Sequence, residues 1–304
     1  MDFQHVDVFA DTPFTGNSLT VFLSDGAMTA AQMLAVTREF RHFESIFLEP
    51  AAAPDRWRAR VFDLEEELGF AGHPVLGAAA VLHDRAGGDP TRRWTISLPA
   101  KTVTVQTTVD GPVFRAVLDQ GRPEYGAPVT GAAVAAAVAP VLAPVLAPVL
   151  ASVLDGIGLG SADLAPGFEP TVVSTGLRYL VIPVSPAALA RAAITAPDFG
   201  DRLAAAGAQF AYLLDPDGLE GRHWTNDGRI EDVATGSAAG TVGAYLARVG
   251  RVAPNQPFVL HQGRFTGRPS QLRVEPRGQA GDITQVLVGG QVALVAQGTL
   301  RSLP

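Results

Sequence analysis

Short runs of alternating hydrophobic and polar residues, separated by turn formers, make up the first part of the chain. Such runs are typical of half-buried β-strands, and they occur at FQHVDVFA, SLTVFL, SIFLEP and RWRARVF. The run TAAQMLAVTREF has the helical spacing of apolar residues, with Thr29 as its predicted N-cap. A second helix is predicted after Gly72, and a strand meander follows it at RWTISL, KTVTVQTTV and VFRAVLD.

The second part of the chain repeats this order of elements. Strands are predicted at EPTVVS and RYLVIPV, helical stretches at 186–206, and strands at AQFAYLLD and GRHWTN. A helix of small residues follows Thr235. The chain then finishes with strands predicted at PFVLHQG, SQLRVEP, ITQVLVGG and VALVAQGTL. Each half therefore combines many strands with one helix rich in glycine and alanine.

The two small-residue helices align with each other. Setting AGHPVLGAAAVL against TGSAAGTVGAYL places Gly72 on Gly236. With the matching order of strands, this alignment predicts an α/β (α+β) protein of two similar domains, each a curved sheet around a central helix. We place the domains at 1–122 and 123–304, because GRPEYGAP near the boundary is rich in turn formers. The last strand, near 292–304, is free to return to the first domain.

Composition supports a globular protein and excludes several kinds of site. The chain is 47% hydrophobic and 17% charged, and its net charge of -7 comes without any basic cluster, so we expect no nucleic-acid partner. The absence of cysteine excludes disulfides, cysteine-bound zinc, iron–sulfur clusters and thiol nucleophiles. The histidines lack metal-ligand spacing, and neither GxGxxG nor GxSxG occurs. We therefore expect no metal and no nicotinamide cofactor.

One long uncharged segment, 127–154, contains the tandem repeat APVLAPVLAPVL. Its length would allow it to span a bilayer, but it lacks flanking basic residues and aromatic belts. We therefore expect no membrane partner and predict a buried or capping helical segment. Pro140, Pro144 and Pro148 lie on one helical face and remove backbone hydrogen bonds, which predicts a curved, kinked or broken helix.

Polar residues stand where both small-residue helices begin. Asp232 precedes the turn before Gly236, and His73 follows Gly72. A helix N-terminus offers unpaired N–H groups to an anion such as a substrate carboxylate, and a nearby acid or histidine could then move protons. The alternative is structural. Asp232 and Thr235 are both good helix-capping residues, and sequence alone favours this capping role. His73 could likewise be a structural histidine.

A third candidate lies in REFRHFESIFLEP, where a helix ends and an apolar strand begins. His42, Glu44 and Glu49 all fall within this stretch. Charged residues at such a junction are usually solvated, and the pattern does not choose among the three.

Five motifs occur in a fixed order across nearly the whole chain: VDVFADTPFTGNSLTVF, FESIFLEP, ELGFAGHPVLGAA, EDVATGSAAG and QGRFTGRPSQLRVE. This series resembles the phenazine-biosynthesis PhzF-like family, which has the diaminopimelate-epimerase fold. The resemblance implies two similar domains with the active site between them, cofactor-free proton transfer and a homodimer. Cysteine-using amino-acid racemases are related, but their two-thiol mechanism is impossible here.

The resemblance also implies roles for individual residues. The implied catalytic residues are Glu44, His73 and Asp232, and the implied substrate-binding residues are Asn17, Gly72, Gly236 and Ser237. The chain departs from the family pattern at two loops. Val233 replaces the proline of DPATG, and Asp63, Leu64 and Gly69 replace residues of TPxxELPFAGHP. These departures leave the polar site residues intact.

The expected function is that of an isomerase acting on a small molecule with a carboxylate. Glu44 would take a proton from one carbon and return it to another, with a pKa raised by burial, while Asp232 and His73 orient the substrate. The family's namesake acts on trans-2,3-dihydro-3-hydroxyanthranilate. Two alternatives stay open: a non-catalytic binding protein, and an epimerase in which Glu44 works with Asp232 or His73 as opposed bases. The start of the chain has no signal-peptide pattern, and we expect a cytoplasmic protein.

Overall fold

The computed structural model of the protein describes residues 1–24, 26, 28–128 and 143–304. Backbone contacts divide the chain into two compact units. The first unit comprises Met1–Asp119, Gly267–Arg273 and Val288–Pro304, and the second comprises Gln120–Thr266 and Val274–Leu287. The first segment of the first unit thus ends at Asp119, whereas the sequence predicted a boundary after residue 122. It also assigns two later segments to the first unit.

The first unit contains eight strands and two helices of its own. They are β1 (Asp2–Val8), β2 (Asn17–Leu23), α1 (Ala30–Phe40), β3 (Glu44–Pro50), β4 (Arg56–Phe62), β5 (Glu67–Leu68), α2 (Gly72–Ala86), β6 (Thr91–Ser97), β7 (Thr102–Asp110) and β8 (Val113–Asp119).

The second unit follows a similar order of elements. They are β9 (Glu124–Pro128), α3 (Ala143–Gly156), β10 (Thr171–Ser174), β11 (Arg178–Pro183), α4 (Pro186–Arg191), α5 (Phe199–Ala205), β12 (Phe210–Asp215), β13 (Glu220–Trp224), β14 (Glu231–Asp232), α6 (Gly236–Arg248) and β15 (Phe258–Gln262). Two final strands, β16 (Ser270–Gln279) and β17 (Asp282–Thr299), contribute residues to both units.

The strands of the first unit close into a ring around α2. The hydrogen-bonded order is β17, β1, β2, β3, β4, β6, β7 and β8, and β8 pairs with β17 to complete the ring. The pairs β2–β3 and β4–β6 are parallel. Helix α2 is buried at every residue from Gly72 to His83. Helix α1 covers the outer face of the ring, where Met33 and Val36 join a cluster with Phe22 and Phe47.

The second unit uses the same pairing scheme. Its hydrogen-bonded order is β9, β10, β11, β12, β13 and β15, with β14 added to β13, and again two pairs, β11–β12 and β13–β15, are parallel. Helix α6 is buried at every residue from Gly236 to Ala247 except Ser237. The predicted class, strands wrapped around one central helix in each half, is confirmed.

Several predicted elements are also confirmed. Thr29 caps α1 in a full capping box with Gln32, and β6, β7 and β8 form the predicted antiparallel meander. One prediction is wrong. ITQVLVGG and VALVAQGTL belong to one strand, β17, because Gly289 and Gly290 do not turn the chain. Instead they permit close approach by the Ala116 carbonyl and by Phe9. The turn-rich GRPEYGAP contains a strand, β9, which pairs with β10.

The proline-rich repeat is only partly described. Helix α3 includes Pro148, whereas Pro140 lies outside the described residues, so the predicted kink stays a prediction. Within the described part of the chain, no helix is long and apolar enough to cross a membrane.

Matching ion pairs establish which residues of the two units are equivalent. Arg60 and Glu67 form a two-bond pair at 2.7 and 2.6 Å between β4 and β5, and Arg222 and Glu231 form the same pair at 2.8 and 2.7 Å between β13 and β14. Strand registers extend the match from there. The equivalent positions, first unit before second, are Leu19 and Tyr179, Glu44 and Phe210, Ile46 and Tyr212, Val61 and His223, Leu68 and Asp232, Ala71 and Thr235, His73 and Ser237, and Leu98 and Gln262.

Small residues in α2 are needed because the ring closes tightly around the helix. A Cβ atom at Gly77 would lie 2.5 Å from Leu19 Cδ2 and 3.1 Å from the methyl groups of Val6 and Val8. Alanine is normally favoured over glycine within a helix by about 1 kcal/mol. Here the steric cost should exceed that gain, because overpacking a filled core costs about 1–3 kcal/mol.

We predict that Gly77→Ala lowers the free energy of unfolding, measured by urea titration. Gly160→Ala is the matched control, because no atom lies within 4 Å of the added methyl group there. Equal stability of Gly77→Ala and the wild type would contradict the tight wrapping of α2.

Candidate active site

Glu44 and His73 meet at the start of α2 in the first unit. Helix α1 ends at Phe40, the left-handed backbone of its C-cap residue Arg41 (φ 57°) turns the chain, and β3 begins at Glu44. His73 is the second residue of α2. Its Nδ1 lies 3.2 Å from Glu44 Oε2, and both residues are buried, at 5% and 7% exposure. A carboxylate and an imidazole are thus held together away from bulk water.

Strand register explains why Glu44 faces the helix. Glu44 pairs with Leu19 in the parallel β2–β3 ladder, so the two side chains share a face. Leu19 is in contact distance of Gly77 in α2, which identifies that face as the inner one. Asn17 begins β2 on the same face and is also buried. The predicted residues Asn17, Glu44, Gly72 and His73 therefore gather at one edge of the first unit.

The other two candidates of this stretch have different neighbours. The His42 Nδ1 atom lies 3.0 Å from the Ser18 hydroxyl, on the outer face of the ring. Glu49 forms an ion pair with Arg58 at 3.2 Å. Register therefore separates three residues that the sequence pattern could not, and it is Glu44 that contacts His73.

Arg268 secures the loop that leads into Asn17. Its guanidinium pairs with Asp7 at 2.6 Å and donates to the carbonyls of Gly16 and Thr15. The other oxygen of Asp7 accepts from the Phe14 backbone N–H at 2.6 Å. A buried carboxylate, only 1% exposed, thus ties the second half of this loop to the sheet, directly at Phe14 and through Arg268 at Thr15 and Gly16.

In the second unit, Asp232 organises the turn that precedes α6. Its Oδ2 accepts from the Thr235 hydroxyl at 2.7 Å and its Oδ1 from the Ala234 backbone N–H at 3.3 Å. Thr235 is the N-cap residue of α6, but its side chain makes no capping hydrogen bond to the helix. The capping interpretation is therefore wrong for Thr235, whose hydroxyl group bonds to the Asp232 carboxylate and not to the first turn of the helix. Ala71, the N-cap residue of α2, also provides no side-chain cap.

A buried amide supports this turn. Gln262 Nε2 donates to the Asp232 carbonyl at 2.8 Å and to the Thr235 hydroxyl oxygen at 3.0 Å. Its Oε1 accepts from the Tyr212 hydroxyl at 2.9 Å and from the Thr235 backbone N–H at 3.2 Å. All four hydrogen-bonding positions of this amide are thus used.

Ser237 lies in the first turn of α6, beside a second hydroxyl. Its Oγ is 2.8 Å from the Tyr179 hydroxyl, and the Tyr179 ring lies edge-on to His223. The His223 Nδ1 lies 2.9 Å from the Ala211 carbonyl oxygen. Burial lowers the pKa of His223, although Asp232 opposes the shift. His223 is therefore a neutral imidazole near neutral pH. Asp232, Gly236 and Ser237, predicted as site residues, thus share one end of α6.

The described residues contain no group of three or more histidine, aspartate or glutamate side chains arranged to hold an ion.

Comparison with known proteins shows the family of this chain. The model of the phenazine biosynthesis-like protein family, PhzC-PhzF, matches residues 6–298. The chain belongs to this family. Trans-2,3-dihydro-3-hydroxyanthranilate isomerase of Pseudomonas fluorescens is 30% identical over 305 residues, with 97% of each chain covered. Full-length relatives at about 30% identity are named as isomerases, and the protein is an isomerase of this family.

Solved structures support the fold. A predicted epimerase from Pseudomonas aeruginosa is 46% identical, with 99% of each chain covered and a TM-score of 0.88. A probable proline racemase from Agrobacterium radiobacter is 13% identical, with a TM-score of 0.58 over 98% of this chain and 92% of its own. This PhzF-family chain thus has the epimerase-type fold that its motifs imply.

Sequence reasoning missed several residues that support the candidate site residues of the first and second units. Gln262 and Arg268 lie in the motif QGRFTGRPSQLRVE, which supported the resemblance but received no role. Tyr179 and Tyr212 lie inside apolar strand runs, where an aromatic residue suggests only core packing. Which hydrogen bonds their hydroxyl groups form depends on the residues that the fold places next to them.

The pKa of His42 links this residue to the pH dependence of stability. Its ring centroid lies 4.5 Å from that of His5, and burial, His5 and Arg268 together lower the pKa of His42 to about 4, from 6.5. The unfolded chain therefore binds more protons than the folded protein between about pH 6.5 and pH 4. The contribution of His42 to the free energy of unfolding is complete above that pH range and is lost as the pH falls through it.

We predict that the free energy of unfolding falls between pH 7 and pH 5, and that His42→Gln reduces this fall by about 1 kcal/mol, allowing for partial exposure. Urea titrations of both proteins at the two pH values measure the difference. An identical fall in both proteins would show that His42 does not contribute.

Proposed function

We propose that this family member is a cofactor-free isomerase in which Glu44 moves a proton between two carbons of a small carboxylate-bearing substrate. The observation that carries the proposal is the buried contact of 3.2 Å between Glu44 Oε2 and His73 Nδ1 at the start of α2. General acid–base catalysis needs a carboxyl group held in a fixed orientation. The buried His73 imidazole beside Glu44 can hold the carboxyl group in such an orientation.

The proposed reaction balances without a co-reactant. The Glu44 carboxylate accepts a proton from one carbon, and the electron pair of the broken C–H bond moves into the unsaturated system. Glu44 then returns the proton to a second carbon, so that a double bond has shifted and the enzyme is unchanged. His73 holds the carboxyl group throughout, and Asn17 supports the adjoining strand edge.

Asp232 and Ser237 complete the proposed machinery. Helix N-termini favour anions because their first N–H groups lack intrahelical partners. Neither α2 nor α6 receives a side-chain cap from its N-cap residue, and each begins with glycine, which allows a ligand to approach the backbone. We propose, from the family resemblance, that Gly72 and Gly236 at these helix starts are substrate-binding residues and that Asp232 binds polar substituents of the substrate.

Trans-2,3-dihydro-3-hydroxyanthranilate is the first substrate to test, because relatives 30% identical over the full chain are named as its isomerases. It carries a carboxylate, an amino group, a hydroxyl group and a double bond, which the proposed reaction requires. A second candidate function is epimerisation, favoured by the 46% identical structure described as a predicted epimerase. An epimerase would invert a stereocentre and leave the double bonds in place.

We predict that Glu44→Gln lowers kcat for this substrate by about a hundredfold to ten-thousandfold, the usual contribution of a general acid or base. Glu49→Gln is the matched control, since Glu49 lies on the same strand but pairs with Arg58. Steady-state kinetics and thermal unfolding of both variants check the prediction. A Glu44→Gln protein that turns over at the wild-type rate would remove Glu44 as the base.

We also predict that Ser237→Ala weakens substrate binding about tenfold, the effect of losing one hydrogen bond to a charged group. Calorimetry in the Glu44→Gln background measures binding without turnover. Ser185→Ala serves as the control, because Ser185 caps the separate helix α4. Unchanged affinity in Ser237→Ala would count against anion binding at the start of α6.

A further inference from the structure

We propose that Gln262 is a positioning residue for Asp232 and that it acts through the Thr235 hydroxyl. The inference rests on the proposed function in one respect, the participation of Asp232 in the reaction. The positioning itself depends only on contacts within the second unit. Gln262 is the last residue of β15 and is 1% exposed.

The direction of each hydrogen bond is determined by its partner. A backbone N–H can only donate, so Gln262 Oε1, which lies 3.2 Å from the Thr235 nitrogen, is the acceptor. A backbone carbonyl can only accept, so Gln262 Nε2 donates to Asp232 O. The amide is therefore oriented without ambiguity, and the Tyr212 hydroxyl, at 2.9 Å from Oε1, must donate as well.

This orientation determines what the Thr235 hydroxyl does. Its oxygen accepts a hydrogen bond from Gln262 Nε2 at 3.0 Å. Its single proton is then available for Asp232 Oδ2, at 2.7 Å. A directed series of bonds thus runs from Tyr212 through Gln262 and Thr235 to the Asp232 carboxylate. Rotation of the amide would place two acceptors, or two donors, against each other.

The first unit shows that the fold does not need this polar network. The equivalent of Gln262 is Leu98, which is 7% exposed and apolar. The equivalents of the other members are apolar too, namely Ile46 for Tyr212, Leu68 for Asp232 and Ala71 for Thr235. The same strand plan and the same buried helix therefore form with aliphatic side chains at all four positions. Buried polar groups are costly unless fully paired, so their presence in one unit points to a role beyond folding.

Gln262→Leu is the direct test, since it introduces the residue that the first unit carries at the equivalent position. We expect a crystal structure of this variant to show the Asp232 carboxylate turned away from the Thr235 hydroxyl, with the contact of 2.7 Å lost. An Asp232 side chain that keeps its rotamer and this contact would overturn the proposal. This result does not depend on any substrate.

Thr235→Val keeps the test possible if Gln262→Leu does not fold. Valine matches the shape of threonine but removes the hydroxyl, and Thr235→Ser restores the hydroxyl. We expect Asp232 to be displaced in Thr235→Val and to occupy its original position in Thr235→Ser. The same Asp232 position in all three proteins would overturn the proposed route through Thr235.

Kinetics provide a second measurement, with trans-2,3-dihydro-3-hydroxyanthranilate as the probe. We expect Gln262→Leu to lower kcat about tenfold or more, with KM changed less, because a misplaced reacting group mainly affects the transition state. In an Asp232→Asn background the same substitution should change kcat less than about twofold. Equal losses in both backgrounds would mean that Gln262 does not act through Asp232.

Tyr212→Phe and Tyr245→Phe form a matched pair. Each removes one buried tyrosine hydroxyl bond, to Gln262 in the first case and to the Glu169 carbonyl in the second. We expect similar losses of thermal stability but a lower kcat only in Tyr212→Phe. A wild-type protein inactive on the probe would reject the proposed substrate, and the Asp232 position in the crystal structures would still decide the inference.

Discussion

Burial of one helix on every side is the constraint on which the rest of this structure depends. Helix α2 is enclosed by the strands of its unit, and the ring leaves no room for a side chain at Gly77. Water cannot reach the middle of such a helix, so its polar groups become available only at its ends. Glu44 begins a strand of the ring and meets His73 at the first turn of α2. The position of this buried pair is thus a consequence of how the core is wrapped.

Duplication of this plan explains how the protein distributes its reactive groups. Both units keep the arginine–glutamate pair that joins β4 to β5 and β13 to β14, and both keep a glycine at the start of the enclosed helix. The acids, however, occupy non-equivalent positions. Glu44 corresponds to Phe210, and Asp232 corresponds to Leu68. Each unit therefore carries a different buried carboxylate in the same framework, and the second unit has a polar network where the first is aliphatic.

Sequence patterns predicted the parts of the structure that depend on local chemistry. The capping box at Thr29 and the glycine-rich starts of α2 and α6 follow from short-range preferences. The choice of Glu44 came from motif resemblance, because periodicity cannot tell which residues near a strand start face inward. That depends on the parallel pairing of β3 with β2, a long-range property. Gln262 escaped notice for the same reason, since its partners come from β12 and the turn before α6.

The central claim is that a proton leaves one carbon and returns to another by way of a carboxyl group of the protein. Nuclear magnetic resonance in deuterium oxide, with trans-2,3-dihydro-3-hydroxyanthranilate and the wild-type protein, tests it most directly. We predict a product with a shifted double bond. The carbon that receives the proton carries deuterium in those turnovers in which the Glu44 carboxyl group exchanges its proton with solvent before returning it. Inversion of a stereocentre with the double bonds unchanged would indicate an epimerase. A substrate that binds but shows neither product nor deuterium uptake would contradict the claim.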